Sequence, residues 1–316
     1  MQVSQSQSPS QTQSLFLYSS EDISTKKNRF KEKVGFSFLF FSAFLVLGIL
    51  AIFLSYIFWK GSANAFSFDY LFTPPQGGRN DQGGVLYPLL GTVYLIIASL
   101  GIATPIGIFA AVYLSEYSDS KSKLTKLSRF AIESLAGIPS VIFGLFGLAF
   151  FVIFLGFKHS LLAAAFSVAI MILPVIIRTA EEAIDSVPKS FRDASYALGA
   201  NKVQTIFQVV LPSAASGIFT GIMLSIGRAI SESAIVILAA GGSVSSIPRI
   251  ASSFYPYILP DSGRTLALHV YQQNENGQSE RAFATAVILI LLVLFLNIAA
   301  TFGLSIKSKI KNGKSK

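Results

Sequence analysis

Six long apolar runs constrain this chain more than any other feature. They cover residues 34–59, 85–114, about 130–157, 161–177, about 213–240 and 282–306. A helix needs about 20 mostly apolar residues to cross the hydrocarbon core of a bilayer. The runs at 34–59, 85–114 and 282–306 hold no charged residue. The third has Glu133 near its start, and the fifth is interrupted by Arg228 and Glu232. Helices of a water-soluble domain show one apolar stripe and one polar face, not runs that are apolar on every side. Composition agrees: 52% of the 316 residues are hydrophobic and 13% charged, against a usual charged share of about a quarter. The expected fold class is an all-α integral membrane protein with six transmembrane helices.

The net charge of +9 would suit a nucleic-acid-binding protein, but its placement points elsewhere. Five lysines and arginines from Lys26 to Lys33 precede the first run, and Lys121, Lys123, Lys126 and Arg129 follow the second. Arg178, Lys189, Arg192 and Lys202 follow the fourth, and five lysines from Lys307 to Lys316 follow the sixth. These make 18 of the 25 basic residues, all on one side of the membrane, which the positive-inside rule makes cytoplasmic. Both termini are therefore expected in the cytoplasm, with the clusters touching anionic membrane lipid and no nucleic acid. The chain has no cysteine, which excludes thiolate catalysis, cysteine-ligated metals and disulfides.

Between the runs, the sequence divides as follows. Residues 1–33 read as a disordered Gln- and Ser-rich tail with a basic flank. Residues 60–84 form an external loop marked by Pro74-Pro75, Gly77-Gly78 and Gly83-Gly84, and residues 307–316 a basic tail. A core at 85–306 contains a second external loop at 241–281, with a short apolar element at 265–271.

One cytoplasmic segment, residues 188–199, has a different character. Pro188 fits a first helical position, with Ser186 as a cap before it. Phe191, Ala194, Ser195 and Leu198 fall at i, i+3, i+4 and i+7, and Gly199 supplies the stop. So short a helix needs a surface to pack on. That surface is either another part of this chain or a groove on a cytoplasmic partner.

Asp193-Ala194-Ser195, Gly199 and Val210-Leu211-Pro212 resemble the cytoplasmic loop signature of importer permeases that work with ATP-binding-cassette (ABC) ATPases. The family's Glu-Ala-Ala appears here as Asp-Ala-Ser. The wider pattern includes Gly91-Thr92-Val93-Tyr94-Leu95, Pro105-Ile106-Gly107, Tyr113-Leu114-Ser115-Glu116-Tyr117, Leu135-Ala136-Gly137-Ile138-Pro139-Ser140 and Phe143-Gly144-Leu145-Phe146-Gly147. Leu173-Pro174, Arg178-Thr179, Glu181-Glu182, Gly227-Arg228 and Glu232 continue it. Over about residues 83–306 these resemble the PstA-type permeases of bacterial inorganic-phosphate importers. The family's Gly-Glu-Thr stands here as Ser231-Glu232-Ser233.

The resemblance implies a type I ABC importer permease fold in the bacterial inner membrane. It implies a non-catalytic subunit that moves inorganic phosphate by alternating access. The implied partners are a sister permease in a heterodimer, two ABC ATPases and a periplasmic phosphate-binding protein. Phe191, Asp193, Ala194, Leu198 and Gly199 are then the ATPase-coupling residues. No cofactor is implied.

The charges inside the apolar runs are the candidate substrate pathway. Arg228 falls near the middle of the fifth run, where an isolated Arg costs about 2.5–3.5 kcal/mol and normally faces a bundle interior or water. Glu232 lies four residues on, and Arg178 and Glu182 repeat that spacing. They are either neutralised pairs that fix helix positions or a lining for an oxyanion, which Arg binds bidentately. Gly217, Gly221 and Ser225 belong to a stripe of small residues repeating every four positions, a close-packing face for another helix. That helix is either in the same bundle or in the sister permease. Pro105 and Pro139 with Gly144 and Gly147 suit either ordinary packing or a gate.

The phosphate loop of ATPases is missing, and His159 and His269, far apart in sequence, make no metal site. An ion-coupled secondary anion transporter, with Glu182 and Glu232 relaying protons, remains the alternative, although no internal repeat is evident. A membrane scaffold or sensor would leave the intramembrane charges unexplained.

Overall fold

The computed structural model describes residues 11–75, 83–119, 121–242 and 263–313, all helical or connecting. The chain falls into two compact units, Met1–Tyr56 and Ile57–Lys316. In the first, helix α1 (Gln11–Ala65) turns Phe38, Phe40, Phe44 and Ile52 outward, as a helix in contact with lipid must. From Gln11 onward α1 occupies the stretch expected as a disordered tail over 1–33. No Gly or Pro interrupts residues 11–34, so nothing local stops the helix. Residues 1–10 lie outside the described residues.

In the second unit, α1 continues past residue 59 to Ala65, and α2 (Phe68–Phe72) occupies part of the expected loop. Gly77-Gly78 of that loop lies outside the described residues, as do residues 243–262 of the second loop. Five helices are long and apolar enough to cross a membrane, or six if one bent pair counts as a single span. The first of these is α1. The second is α3 (Leu86–Val112), followed by one π-helical turn, Tyr113–Tyr117.

The third run departs from expectation. Instead of one helix it forms α4 (Lys123–Ala136) and α5 (Ser140–Gly147), bent by 97°. A π-helical stretch, Leu148–Phe154, extends α5. Pro139 cannot donate a backbone hydrogen bond and pushes Ile138 out of the helical region, so the chain turns at Gly137-Ile138-Pro139.

The central element is α6 (Leu161–Asp185), with 16 buried residues from Leu161 to Ile184. Ser160 caps it by accepting from the Ala163 amide at 3.1 Å. Then come α7 (Lys189–Ala197) and α8 (Lys202–Thr205). A π-helical turn, Ile206–Val210, leads into α9 (Leu211–Ile230). The fifth span thus starts at Lys202, not Ser213. Pro212 cannot donate to the carbonyl four residues back, and the loosened ladder there fits its ring without ending the helix. At the other end, the run to residue 240 is cut at Ser231–Ser233, and α10 (Ala234–Ala239) is a separate short helix.

The expected element at 265–271 is α11 (Leu266–Glu275), capped by Thr265. Finally, α12 (Ser279–Gly313) contains the sixth span and runs through much of the expected basic tail. One core cluster unites α3, α5, α6 and α10 around Leu95, Phe143, Met171, Ile172 and Ile235. A second unites the ends of α3, α6 and α9 around Ile184, Ile206 and Val210.

Candidate functional site

Helices α6 and α9 pack closely because α9 presents glycines. A Cβ on Gly217 would come within 2.6 Å of the Ala183 Cβ, and one on Gly221 would overlap the Thr179 side chain. Ser225 is fully buried and bonds back to the Gly221 carbonyl at 2.9 Å. In this chain, then, Gly217 and Gly221 face α6.

These pairings run Thr179 with Gly221 and Ala183 with Gly217, so the two helices are antiparallel. In such a pair, the residues just before each contact lie on one side of the seam. Arg178 and Glu182 of α6 therefore share a side with Ser216 and Thr220 of α9, and all four are exposed. Farther along α9, a Cβ on Gly227 would meet nothing within 4 Å. Leu224 is the next residue on that side of α9 and is exposed, so the polar strip spans Arg178, Glu182, Ser216 and Thr220 and stops short of Arg228.

The two Arg/Glu pairs behave differently. Arg178 donates to Glu182 through Nε at 3.0 Å and to Glu133 of α4 through Nη1, so both acids hold it. Arg228 lies two residues before the end of α9, not in the middle of a span. No ion pair within 4 Å joins it to a carboxylate among the described residues. Glu232 sits in the break after α9, with the Ser140 side chain beside it and the Arg228 charge within electrostatic reach. Ser140 opens α5, so the break in the third span meets the break in the fifth. There α5 and α10 pack backbone to backbone: a Cβ on Gly144 would lie 3.2 Å from the Ala234 carbonyl oxygen and the Ile235 Cα.

The segment at 188–199 is a helix, α7, with Pro188 as its N-cap and Gly199 at φ +83° after it. Ser186 does not cap α7: it ends α6, and its hydroxyl bonds to the Ala183 carbonyl at 2.7 Å. Ser195 turns inward and meets Thr205 of α8 at 2.9 Å. Phe191, Ala194, Asp193 and Leu198 stay exposed, Leu198 to 89%, and Phe207 beyond α8 is exposed as well. An apolar face this open on so short a helix is made to be covered.

Behind that face lie contacts the sequence did not announce. Arg192 donates to Glu116 from Nε at 2.8 Å and Nη2 at 2.6 Å, and to the Val187 and Ile184 carbonyls. Arg129 pairs with Glu181 at 2.7 Å. A signal for them did exist: Glu116, Glu133 and Glu181 stand at the margins of apolar runs, in a rim otherwise dominated by basic residues. His269 is fully buried and bonds to Arg264 at 2.9 Å and Gln273 at 3.0 Å.

The geometry can be set beside known proteins. Residues 103–303 match the family model described as "Binding-protein-dependent transport system inner membrane component". The "Probable ABC transporter permease protein YqgI" of Bacillus subtilis is 32% identical over 82% of this chain and 90% of its own length. The "Phosphate transport system permease protein PstA 1" of Mycobacterium tuberculosis (H37Rv) is 32% identical over 87% of this chain and 88% of its own. PstA of Pasteurella multocida is 33% identical over 90% of this chain and 96% of its own. Among solved structures, the bacterial alginate ABC transporter in complex with its alginate-pentasaccharide-bound periplasmic protein superposes with TM-score 0.58. It is 17% identical and covers 85% of this chain and 94% of that one. The inward-facing MetNI methionine ABC transporter gives TM-score 0.53 at 20% identity, covering 69% and 91%.

Proposed function

Because the chain belongs to the family of binding-protein-dependent transport system inner membrane components, with the fold of type I ABC importer permeases, we propose that it carries inorganic phosphate inward across the membrane. In this reading it is a non-catalytic subunit. It pairs with a sister permease, receives phosphate from a periplasmic binding protein and is driven by two cytoplasmic ATPases. Both termini lie in the cytoplasm. The phosphate transport permeases at 32–33% identity support the substrate.

One structural observation carries the mechanism. The Arg228 guanidinium has no carboxylate within 4 Å among the described residues, while Glu232, beyond the end of α9, lies beside Ser140. A planar fork left without a bound acid suits a tetrahedral oxyanion. The nearby Glu232 keeps binding weak enough for release. Arg178 and Glu182 on the open side of the α6–α9 seam are the next charged positions along the path, with Arg178 also held by Glu133.

Phe191, Asp193, Ala194 and Leu198, ended by Gly199, form the face that docks on the ATPases. Docking of an exposed helix into a partner's groove lets ATP-driven closure of the ATPases switch the permease between its two open sides.

The test is phosphate uptake into proteoliposomes that hold the whole complex, with ATP inside and no ion gradient. Uptake that needs ATP and the binding protein is expected, and Arg228→Gln should abolish it while the complex still assembles. Uptake driven by a proton or sodium gradient without ATP would instead identify an ion-coupled transporter. Undiminished uptake by Arg228→Gln would make Arg228 a structural residue.

A further inference from the structure

The coupling segment is gripped from behind at one place. The π-helical turn Tyr113–Tyr117 ends the second span and offers the Glu116 carboxylate, whose side chain is 8% exposed. Arg192 of α7, 15% exposed, reaches it with two donors at 2.8 and 2.6 Å. From the other half of the segment, Lys202 of α8 donates to the Glu116 carbonyl at 2.5 Å and lies 4.4 Å over the Tyr117 ring. Ser195 and Thr205 lock α7 to α8. Two further Arg192 donors hold the carbonyls of Ile184 and Val187, at and just past the end of α6. A cleft of about 430 Å³, lined by Ser115, Asp185, Asp193 and Tyr196 among others, adjoins the pair.

These contacts make one side chain the junction of three elements. Arg192 ties α7 to the second span through charge and to the fourth span through backbone carbonyls. Its helix presents Phe191, Ala194 and Leu198 outward. The second span meets this junction at a π-helical turn, where the usual i→i+4 ladder is already loosened, a frequent feature of functional sites. A charge pair with so little water around it cannot part cheaply, because each partner would be left buried and uncompensated.

We infer that the Glu116–Arg192 pair is the link that carries movement of α7 into the second span, so that both are positioning residues for transport. The inference rests on the proposed docking of α7 on ATPases. It adds where the force enters the membrane domain. Displacement of α7 swings the Tyr113–Tyr117 turn with it, whereas without the pair α7 can move while α3 stays behind.

The test uses the whole complex in proteoliposomes, with three readouts: recovery of the ATPases with the permease, stimulation of ATP hydrolysis by the phosphate-loaded binding protein, and phosphate uptake. Glu116→Ala should keep its ATPases and its basal hydrolysis, since the outward face of α7 is untouched. Stimulation and uptake should fall about tenfold or more. Glu116→Asp keeps the charge but withdraws it by one methylene, and should lose stimulation several-fold. It decides the matter should Glu116→Ala fail to assemble. Glu116→Gln keeps an acceptor oxygen and should retain more stimulation than Glu116→Ala. Wild-type stimulation in Glu116→Ala or in Glu116→Asp would overturn the inference. A wild-type complex without ATP-driven uptake would overturn the proposed function itself.

Discussion

The Ser140 side chain lies beside the Glu232 carboxylate, so the first residue of α5 meets the residue that interrupts the fifth span. The two are 92 positions apart in sequence, yet each stands at a helix break. Arg228 and Glu232, four residues apart, would face each other on an unbroken helix. The break after Ile230 takes the acid out of that register, and no ion pair within 4 Å joins the two.

Ser140→Ala removes the polar neighbour of Glu232. Without it, Glu232 should swing to Arg228 and compete with the substrate anion. Phosphate uptake should then need several-fold more substrate for half-maximal rate, with complex assembly unchanged. Uptake kinetics in proteoliposomes test this. An unchanged half-maximal concentration would mean that the Ser140 contact does not control access to Arg228.

Gly221→Leu should force α6 and α9 apart, since even a Cβ there overlaps Thr179. Overpacking of this kind costs about 1–3 kcal/mol. A lowered thermal unfolding midpoint of the detergent-solubilised complex is the expected readout. Gly227→Ala, at a position with nothing within 4 Å, should leave the midpoint nearly unchanged and serves as the control.

Gly199 ends the coupling helix at φ +83°, where an L-residue with a side chain is strained by about 1–2 kcal/mol. Space is not the obstacle, because nothing lies within 4 Å of a Cβ there. Gly199→Val should therefore act through the backbone, re-aiming Leu198 and reducing recovery of the ATPases with the permease. Gly199→Asn, which tolerates this conformation better, should retain more. Equal recovery for both variants would remove backbone strain as the cause.

Thr285 is fully buried, 2.7 Å from both the Tyr70 hydroxyl and the Gln273 Oε1. Gln273 also reaches His269 and Tyr70, so one hydroxyl ties α2, α11 and α12 together. Thr285→Val keeps the shape and deletes the hydroxyl. A destabilisation of about 1–3 kcal/mol is expected from the polar groups left behind, read as a lower unfolding midpoint. Thr285→Ser should retain much of the stability.

Much of this protein is legible in its sequence because the bilayer is a severe solvent. With no water to satisfy the backbone, apolar runs near 20 residues must be helices, and five helices are long and apolar enough to cross a membrane. Gly199 as a stop and Gly217 with Gly221 as a close-packing face were also readable, since both follow from the missing Cβ. The periodicity of α7 gave the outward positions of Phe191, Ala194 and Leu198, though not the inward turn of Ser195.

What the tertiary structure decided is where long apolar runs break and which charges meet. The third run reads as one span, yet α4 and α5 meet at 97°. The fifth places Arg228 in mid-span, yet its helix ends two residues later. Hydropathy sums over a window and does not see the angle introduced at Pro139 or the break at Ser231–Ser233. The pairs Arg192–Glu116, Arg129–Glu181 and Arg178–Glu133 join residues 76, 52 and 45 positions apart. Local spacing offers Arg178 both Glu181 and Glu182, and Glu181 goes to Arg129 instead. It takes the packing of α4 and α7 against α6 and the end of α3 to bring the other acids within reach, because a guanidinium is satisfied by whatever carboxylate the fold delivers, not by the nearest one in the chain.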